Sequence, residues 1–312
     1  MRVRRFNINI SDETLADLKA RLRATRWPTV LADENWDDGA SLDAIRSLAN
    51  YWLNTFDWRS QERRLNQLAQ FMLEVDGHDI HFIHEKGAGP APIPLILTHG
   101  WPGSFCEMER ILPLLTDPGA HGGDPVDAFD VVVPSLPGFG FSARPTMPAM
   151  SSKTIATLWR ELMRELGHER FATQGGDIGA GVSMWLARLF PGSILGAHLN
   201  YIPGSFRPGI VDASQPVSAD ENSFLERASR FSAEEGAYAA LQATKPQTLA
   251  FSLMDSPIGL AAWIAEKFHG WTDRRDAPEY GVPLDVLLTD ISLYWFSESV
   301  DASLRASIRK TA

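Results

Sequence analysis

Apolar residues in the first seventy positions recur at helical spacing. Phe6 to Ile10 alternates apolar and polar, the pattern of a short strand. Ser11 can then cap a helix with Asp12 and Glu13 in its first turn and Leu15, Leu18 and Leu22 on one face. Trp27-Pro28 closes it. A second helix is predicted from Ser41, with Leu42, Ile45, Leu48, Trp52 and Leu53 inward, and a third from about Trp58 with Leu65, Leu68 and Phe71. Residues 1–70 thus form a helical segment without a cluster of catalytic residue types, whose role is to pack on the core or cap.

The rhythm then changes. Phe71 to Val75 and Ile80 to Ile83 flank Asp76-Gly77, a hairpin turn signal. Continuous apolar runs follow at Ile93–Leu97, Val131–Val133, Phe171–Thr173 and Ile194–Leu199, most of them separated by helical stretches such as Ser152 to Leu166. Runs apolar on both faces that alternate with helices predict a mostly parallel sheet covered on both sides, the α/β class, over residues 71–203. From Pro203 the strand rhythm stops. Phe224–Arg230, Ala233–Ala243, Thr248–Leu253, Gly259–Lys267 and Pro283–Trp295 read as helices, which makes 204–306 a helical cap over the sheet and 307–312 a tail.

Composition narrows the partners. A net charge of −10 argues against wholesale nucleic-acid binding. The single cysteine, Cys106, excludes an internal disulfide and fits a reducing compartment. The basic start Met1-Arg-Val-Arg-Arg5 lacks the apolar core of a signal peptide, and no run reaches the roughly 18 apolar residues of a membrane span. A cytoplasmic protein without a membrane anchor is expected. Self-association is left open, and no metal or cofactor is called for.

The candidate chemistry gathers where loops leave the strands. In Gly175-Gly-Asp-Ile-Gly179 an apolar run ends in two glycines, a carboxylate, one residue and a third glycine, directly before a predicted helix. Small-x-acid-x-small between strand and helix is the layout of a nucleophile elbow, with Asp177 raised over the helix N-terminus and Gly176 beside it. Alone, the five residues also read as a glycine-rich turn with a capping Asp. His99-Gly-Trp-Pro-Gly-Ser104 follows the strand Ile93–Thr98. Gly100 and Pro102 would turn its backbone so that the N–H of Trp101, with that of Ile178, forms an oxyanion hole. His99 is read as a structural histidine that orients this loop. Phe139 and Phe141, in Leu136-Pro-Gly-Phe-Gly-Phe-Ser142, line a pocket wall or belong to the core.

These motifs resemble the microsomal-type epoxide hydrolases, α/β-hydrolase-fold enzymes with an N-terminal helical segment. Thr25-Arg-Trp-Pro28, Tyr51-Trp52, Asp57-Trp58-Arg59, Gly77-His-Asp-Ile-His-Phe-Ile-His84, the His99 loop and the Asp177 elbow occur in the family's order. So do Thr244-Lys-Pro-Gln-Thr248, Asp255-Ser-Pro-Ile-Gly-Leu-Ala-Ala-Trp263 and Leu293-Tyr-Trp295. Each motif is weak and the ordered set is specific. The resemblance implies that Asp177 opens a small hydrophobic epoxide to an enzyme ester, that Tyr238 in the cap protonates the departing oxygen, and that water then releases the diol. It also implies an acid and a histidine beyond the cap. After Asp177 the sequence offers only His198 and His269, neither at the family's position, and Ser307 falls where a second cap tyrosine is expected. After Arg305 the likeness ends. The expectation is a family member whose sheet lacks its last two strands, exposing an edge, with weak or absent turnover. The alternatives are a haloalkane dehalogenase-type hydrolase and a non-catalytic or partner-completed binding protein.

Overall fold

The computed structural model describes residues 3–29, 36–145, 150–201, 216–275 and 279–305. The N-terminal segment comprises strand β1 (Arg4–Arg5) and helices α1 (Asp12–Arg23), α2 (Leu42–Asn54) and α3 (Trp58–Leu65). Ser11, Ser41 and Asp57 cap the three helices through their side chains, each accepting a backbone N–H three residues on. Leu18 and Leu22 of α1, and Ile45, Leu48 and Trp52 of α2, are buried as the periodicity predicts. Each such side chain contributes roughly 1.5–3 kcal/mol when fully buried.

Two expectations here are corrected. The N–H of Phe6 still donates to the Gln70 carbonyl of the next strand at 3.0 Å, but Asn7 to Ile10 do not continue the ladder of β1. The N–H of Ile8 donates to Asn66 Oδ1 at 2.8 Å and that of Ile10 to Glu62 Oε1 at 2.7 Å, so side chains around α3 satisfy a backbone that alternation alone assigned to a sheet. The third helix stops at Leu65 and Phe71 belongs to the next strand, because Gln70 already pairs with Ile83.

The sheet holds β2 (Gln70–Val75), β3 (His78–Glu85), β4 (Ile93–Thr98), β5 (Phe129–Pro134), β6 (Phe171–Gly175) and β7 (Ile194–Leu199), in the order β1-β2-β3-β5-β4-β6-β7. Asp76 and Gly77 both take positive φ, 47° and 78°, as the tight β2–β3 turn requires. From β5 onward the pairing is parallel. Between β4 and β5 lies α4 (Leu112–Thr116), while α5 (Ser152–Glu165) and α6 (Ile178–Leu189) flank β6. Trp159 of α5 is fully buried, and its indole N–H donates to Thr98 Oγ1 at 3.1 Å, pinning the end of β4. The covered-sheet expectation holds for β3 to β6 but not for β7. Four of its six residues are exposed and Leu195 is 46% accessible, so among the described residues β7 is an open edge with uncovered apolar surface.

Helices α7 (Ala219–Glu234), α8 (Ala237–Thr244), α9 (Pro246–Asp255), α10 (Pro257–Trp271), α11 (Leu284–Phe296) and α12 (Val300–Arg305) follow. The N-terminal segment is tied to them. Tyr51 donates to Asp285 at 2.9 Å, Tyr280 to the Ala44 carbonyl at 3.2 Å, and Trp36 stacks on His269 at 3.9 Å between ring centres. Pro203 and Gly204, where the core was expected to pass into the cap, and Ser307 with the 307–312 tail lie outside the described residues. Among the described residues no single helix is long and apolar enough to cross a membrane.

Candidate active site

The elbow is built from glycines because backbone passes where side chains would stand. A Cβ on Gly175 would strike the Gly179 carbonyl, and one on Gly179 the carbonyl of Thr98 at the end of β4. A third, on Gly176, would fall 2.5 Å from Asn200 Oδ1. Asp177 between them holds φ 52° and ψ −121°, a backbone state a non-glycine residue adopts only under constraint from its surroundings. A hydrogen bond of 2.8 Å between Thr173 Oγ1 and Ser183 Oγ ties β6 to α6 on either side of the turn. Asp177 does not cap α6 with its side chain, which disposes of the capping-aspartate reading.

Its carboxylate instead faces the loop after β4. The N–H of Trp101 donates to Asp177 Oδ1 at 3.0 Å, and the N–H of Ile178 acts with it to favour the carboxylate's anion. Burial pushes the Asp177 carboxyl above the usual carboxylate value, while the two N–H groups pull it back. Gly100 allows this approach, since a Cβ there would fall 2.5 Å from Asp177 Cβ. The Trp101-Pro102 peptide is cis.

His99 is buried and orients the loop. Its Nδ1 lies 3.1 Å from the Gly100 carbonyl and its Nε2 accepts the N–H of Leu136 at 3.2 Å, which fixes the tautomer with the proton on Nδ1. Burial lowers its pKa to about 4, so the ring is neutral. Both nitrogens are committed, in keeping with a structural role.

His99, Gly100, Trp101, Pro102, Gly176 and Asp177 line one cavity together. Ile178 and Phe139 line a second one, with Leu136, Met150 and Ile155. Phe139 is fully buried, edge-on to His99 at 5.4 Å. Tyr238 borders neither cavity. Its ring lies flat on that of Trp101, 5.2 Å between centres and 10° between planes, with Trp271 4.9 Å away and Lys267 Nζ 5.0 Å over its face. Burial first, then the charge of Asp177, raises its phenol to about 12. His198 and His269, the histidines after Asp177, are absent from the lining of both cavities, and His269 is taken up by Trp36 and the Glu279 carbonyl.

Several lining residues escaped the sequence reading. Glu107 borders the Asp177 cavity, its carboxyl packed under Gly103. The residue opens to solvent at the cavity mouth, yet protein surrounds the carboxyl closely enough to push it up to about 8. Burial is the main cause, then the charges of Asp290 and Asp177. Asp290 of α11 is buried behind it. Cys106 Sγ lies 3.8 Å from its Oδ1, and Oδ2 has no hydrogen-bond partner. Burial raises Asp290 to about 7 against the hydrogen bonds from Ser104 and Cys106. Tyr294, from the Leu293-Tyr-Trp295 motif, donates to the Gly103 carbonyl at 2.8 Å and so holds the same loop from α11. Gln174, Asn200 and the half-exposed Tyr201 complete the rim. Nothing local in the sequence ties Glu107 to Asp290; only the packing of α11 on the loop brings them together.

Comparison with known proteins identifies the assembly. The profile described as epoxide hydrolase N terminus matches residues 3–108, and that of the alpha/beta hydrolase fold matches 93–233. Epoxide hydrolase 1 of Oryctolagus cuniculus is 36% identical over 97% of this chain and 71% of its own length. The chain belongs to the microsomal-type epoxide hydrolases. Among solved structures, the Aspergillus niger epoxide hydrolase superposes with a TM-score of 0.86 at 32% identity, over all of this chain and 79% of that one. Juvenile hormone epoxide hydrolase from the silkworm Bombyx mori gives 0.83 at 29%, over all of this chain and 76% of that one. An epoxide hydrolase of this type is thus matched across its N-terminal segment, its sheet and its elbow.

Proposed function

We propose that Asp177 opens a small hydrophobic epoxide by direct attack. A carboxylate oxygen bonds to the less hindered ring carbon, the carbon–oxygen bond of the ring breaks, and its electron pair goes to the epoxide oxygen. The phenol of Tyr238 gives that oxygen its proton, which an alkoxide, far more basic than a phenolate, readily takes. The product is an alkyl ester of Asp177. The observation that carries the proposal is the 3.0 Å hydrogen bond from the Trp101 N–H to a carboxylate held on a strained elbow. In the second step water attacks the ester carbonyl, and the N–H groups of Trp101 and Ile178 receive the oxyanion. That step requires a base. Among the described residues the one histidine bordering the Asp177 cavity is His99, with both nitrogens engaged. We therefore expect the ester to outlive its formation in this 312-residue chain.

The test is intact mass after incubation with a small aryl epoxide, with diol assayed in parallel. An adduct of one epoxide mass, mapped to Asp177 and absent from Asp177→Asn, is the expected result. Diol without a lasting adduct would show that another group supplies the base. Neither adduct nor diol would sink the proposal.

A further inference from the structure

The rim of the sheet opposite Asp177 carries a second cluster, assembled from three separate elements. The carboxyl ends of β4 and β6 lead to the Trp101 loop and the elbow, so the amino ends of β5 and β6 lie at the other rim. Asp130 is the second residue of β5 there. His84 lies near the end of antiparallel β3, opposite Val132, so its side chain shares a face with Val132 and with Asp130 two residues earlier. His168 arrives from the end of α5. Gly167 takes φ 89°, and the N–H groups of Gly167 and His168 bond back to the carbonyls of Arg164 and Met163. This glycine-dependent helix stop fixes where the imidazole stands.

His84 Nε2 lies 2.9 Å from Asp130 Oδ1 and His168 Nε2 lies 3.5 Å from Asp130 Oδ2. One ligand atom from each of the three residues falls within 4.8 Å of the other two. A tetrahedral zinc site with bonds near 2.0–2.1 Å has ligand atoms roughly 3.3 Å apart, inside that span. All three side chains are at most 13% exposed, and His168 Nε2 is buried without a hydrogen-bond partner. A buried, unpaired ring nitrogen aimed at a carboxylate is costly unless something binds there.

We infer that His84, Asp130 and His168 form a binding site for a divalent ion of the zinc class, which cross-links β3, β5 and the α5–β6 turn. Two imidazoles and one carboxylate are a donor set that suits such an ion. Lys86 Nζ, 3.0 Å from Asp130 Oδ2, is the competing cation, and its side chain is 68% exposed and free to swing away. The ion would act on stability and not on the Asp177 chemistry at the other rim. The sequence displays His84 within a family motif but gives no sign that Asp130 and His168 meet it.

The test uses the full chain, treated with EDTA and then freed of chelator, titrated with Zn²⁺ by calorimetry and followed by melting. One Zn²⁺ per chain and a melting point raised by several degrees are expected. His168→Gln and Asp130→Asn, with unchanged far-ultraviolet circular dichroism, should each weaken binding by at least about tenfold. Equal affinity in both variants, or no binding by the unmodified protein, would overturn the site. Should a variant misfold, histidine ring signals in the unmodified protein decide by NMR. Zn²⁺ must shift those of His84 and His168 and spare His99; any other pattern refutes the inference.

Discussion

Asp177 and Asp290 border the same loop, and their surroundings treat the same side chain in opposite ways. Asp177 stands at a helix N-terminus, where the hydrogen bond from the Trp101 N–H and the neighbouring N–H of Ile178 favour its anion against the cost of burial. Asp290 is deeper, has a thiol and a hydroxyl as donors, and leaves Oδ2 unpaired. It is held protonated up to about pH 7, and Glu107 between the two up to about 8. Backbone donors, fixed by the fold, favour the Asp177 anion. A buried carboxyl without them becomes a neutral polar group, and the split keeps a single strong anion in the cavity.

The largest test of this contrast removes the donor. Gly100→Ala would drive a methyl into Asp177 and part its carboxylate from the Trp101 N–H. Esterification by an aryl epoxide, timed by mass spectrometry, should slow by roughly 10²-fold, because the carboxylate is moved from the position from which it attacks. Unchanged kinetics would mean that the Trp101 donor contributes nothing.

Asp290 offers the next. Its folded pKa, about 7, is raised above the value of about 4 expected when unfolded. The stability it contributes is therefore present in full below pH 4 and is lost as pH rises through 7, by roughly 1.4 kcal/mol for each pH unit between those two values. Asp290→Asn cannot ionise, so its melting temperature between pH 5 and pH 8 should fall less than that of the unmodified protein. Parallel curves would refute a raised Asp290. Glu107→Gln should flatten the same profile with the same sign but by less, because Glu107 opens to water at the cavity mouth. An effect larger than that of Asp290→Asn would reverse the ranking.

Much of this molecule was legible in order of sequence. The hairpin at Asp76-Gly77, the helix starts at Ser11 and Ser41, the strands from β4 to β6 and the Asp177 elbow each follow from residues within a few positions of one another. Such features are set by backbone sterics and local hydrogen bonds. The Phe6 to Ile10 segment misled for a related reason. Alternation records which faces are buried but not who accepts the backbone hydrogen bonds, and here Asn66 and Glu62 do.

By itself, then, the sequence determined the α/β architecture, the glycine-flanked turn that raises Asp177 over a helix N-terminus, and the loop after β4 that faces it. The tertiary structure alone decided that Tyr238 lies flat on Trp101, that Glu107 and Asp290 meet behind the loop, that β7 is the exposed edge, and that His84, Asp130 and His168 converge on the far rim. A turn is specified by neighbours along the chain. The protonation state of a buried group, and the partners of an imidazole, depend on surroundings supplied by distant segments, and those exist only once the chain has packed.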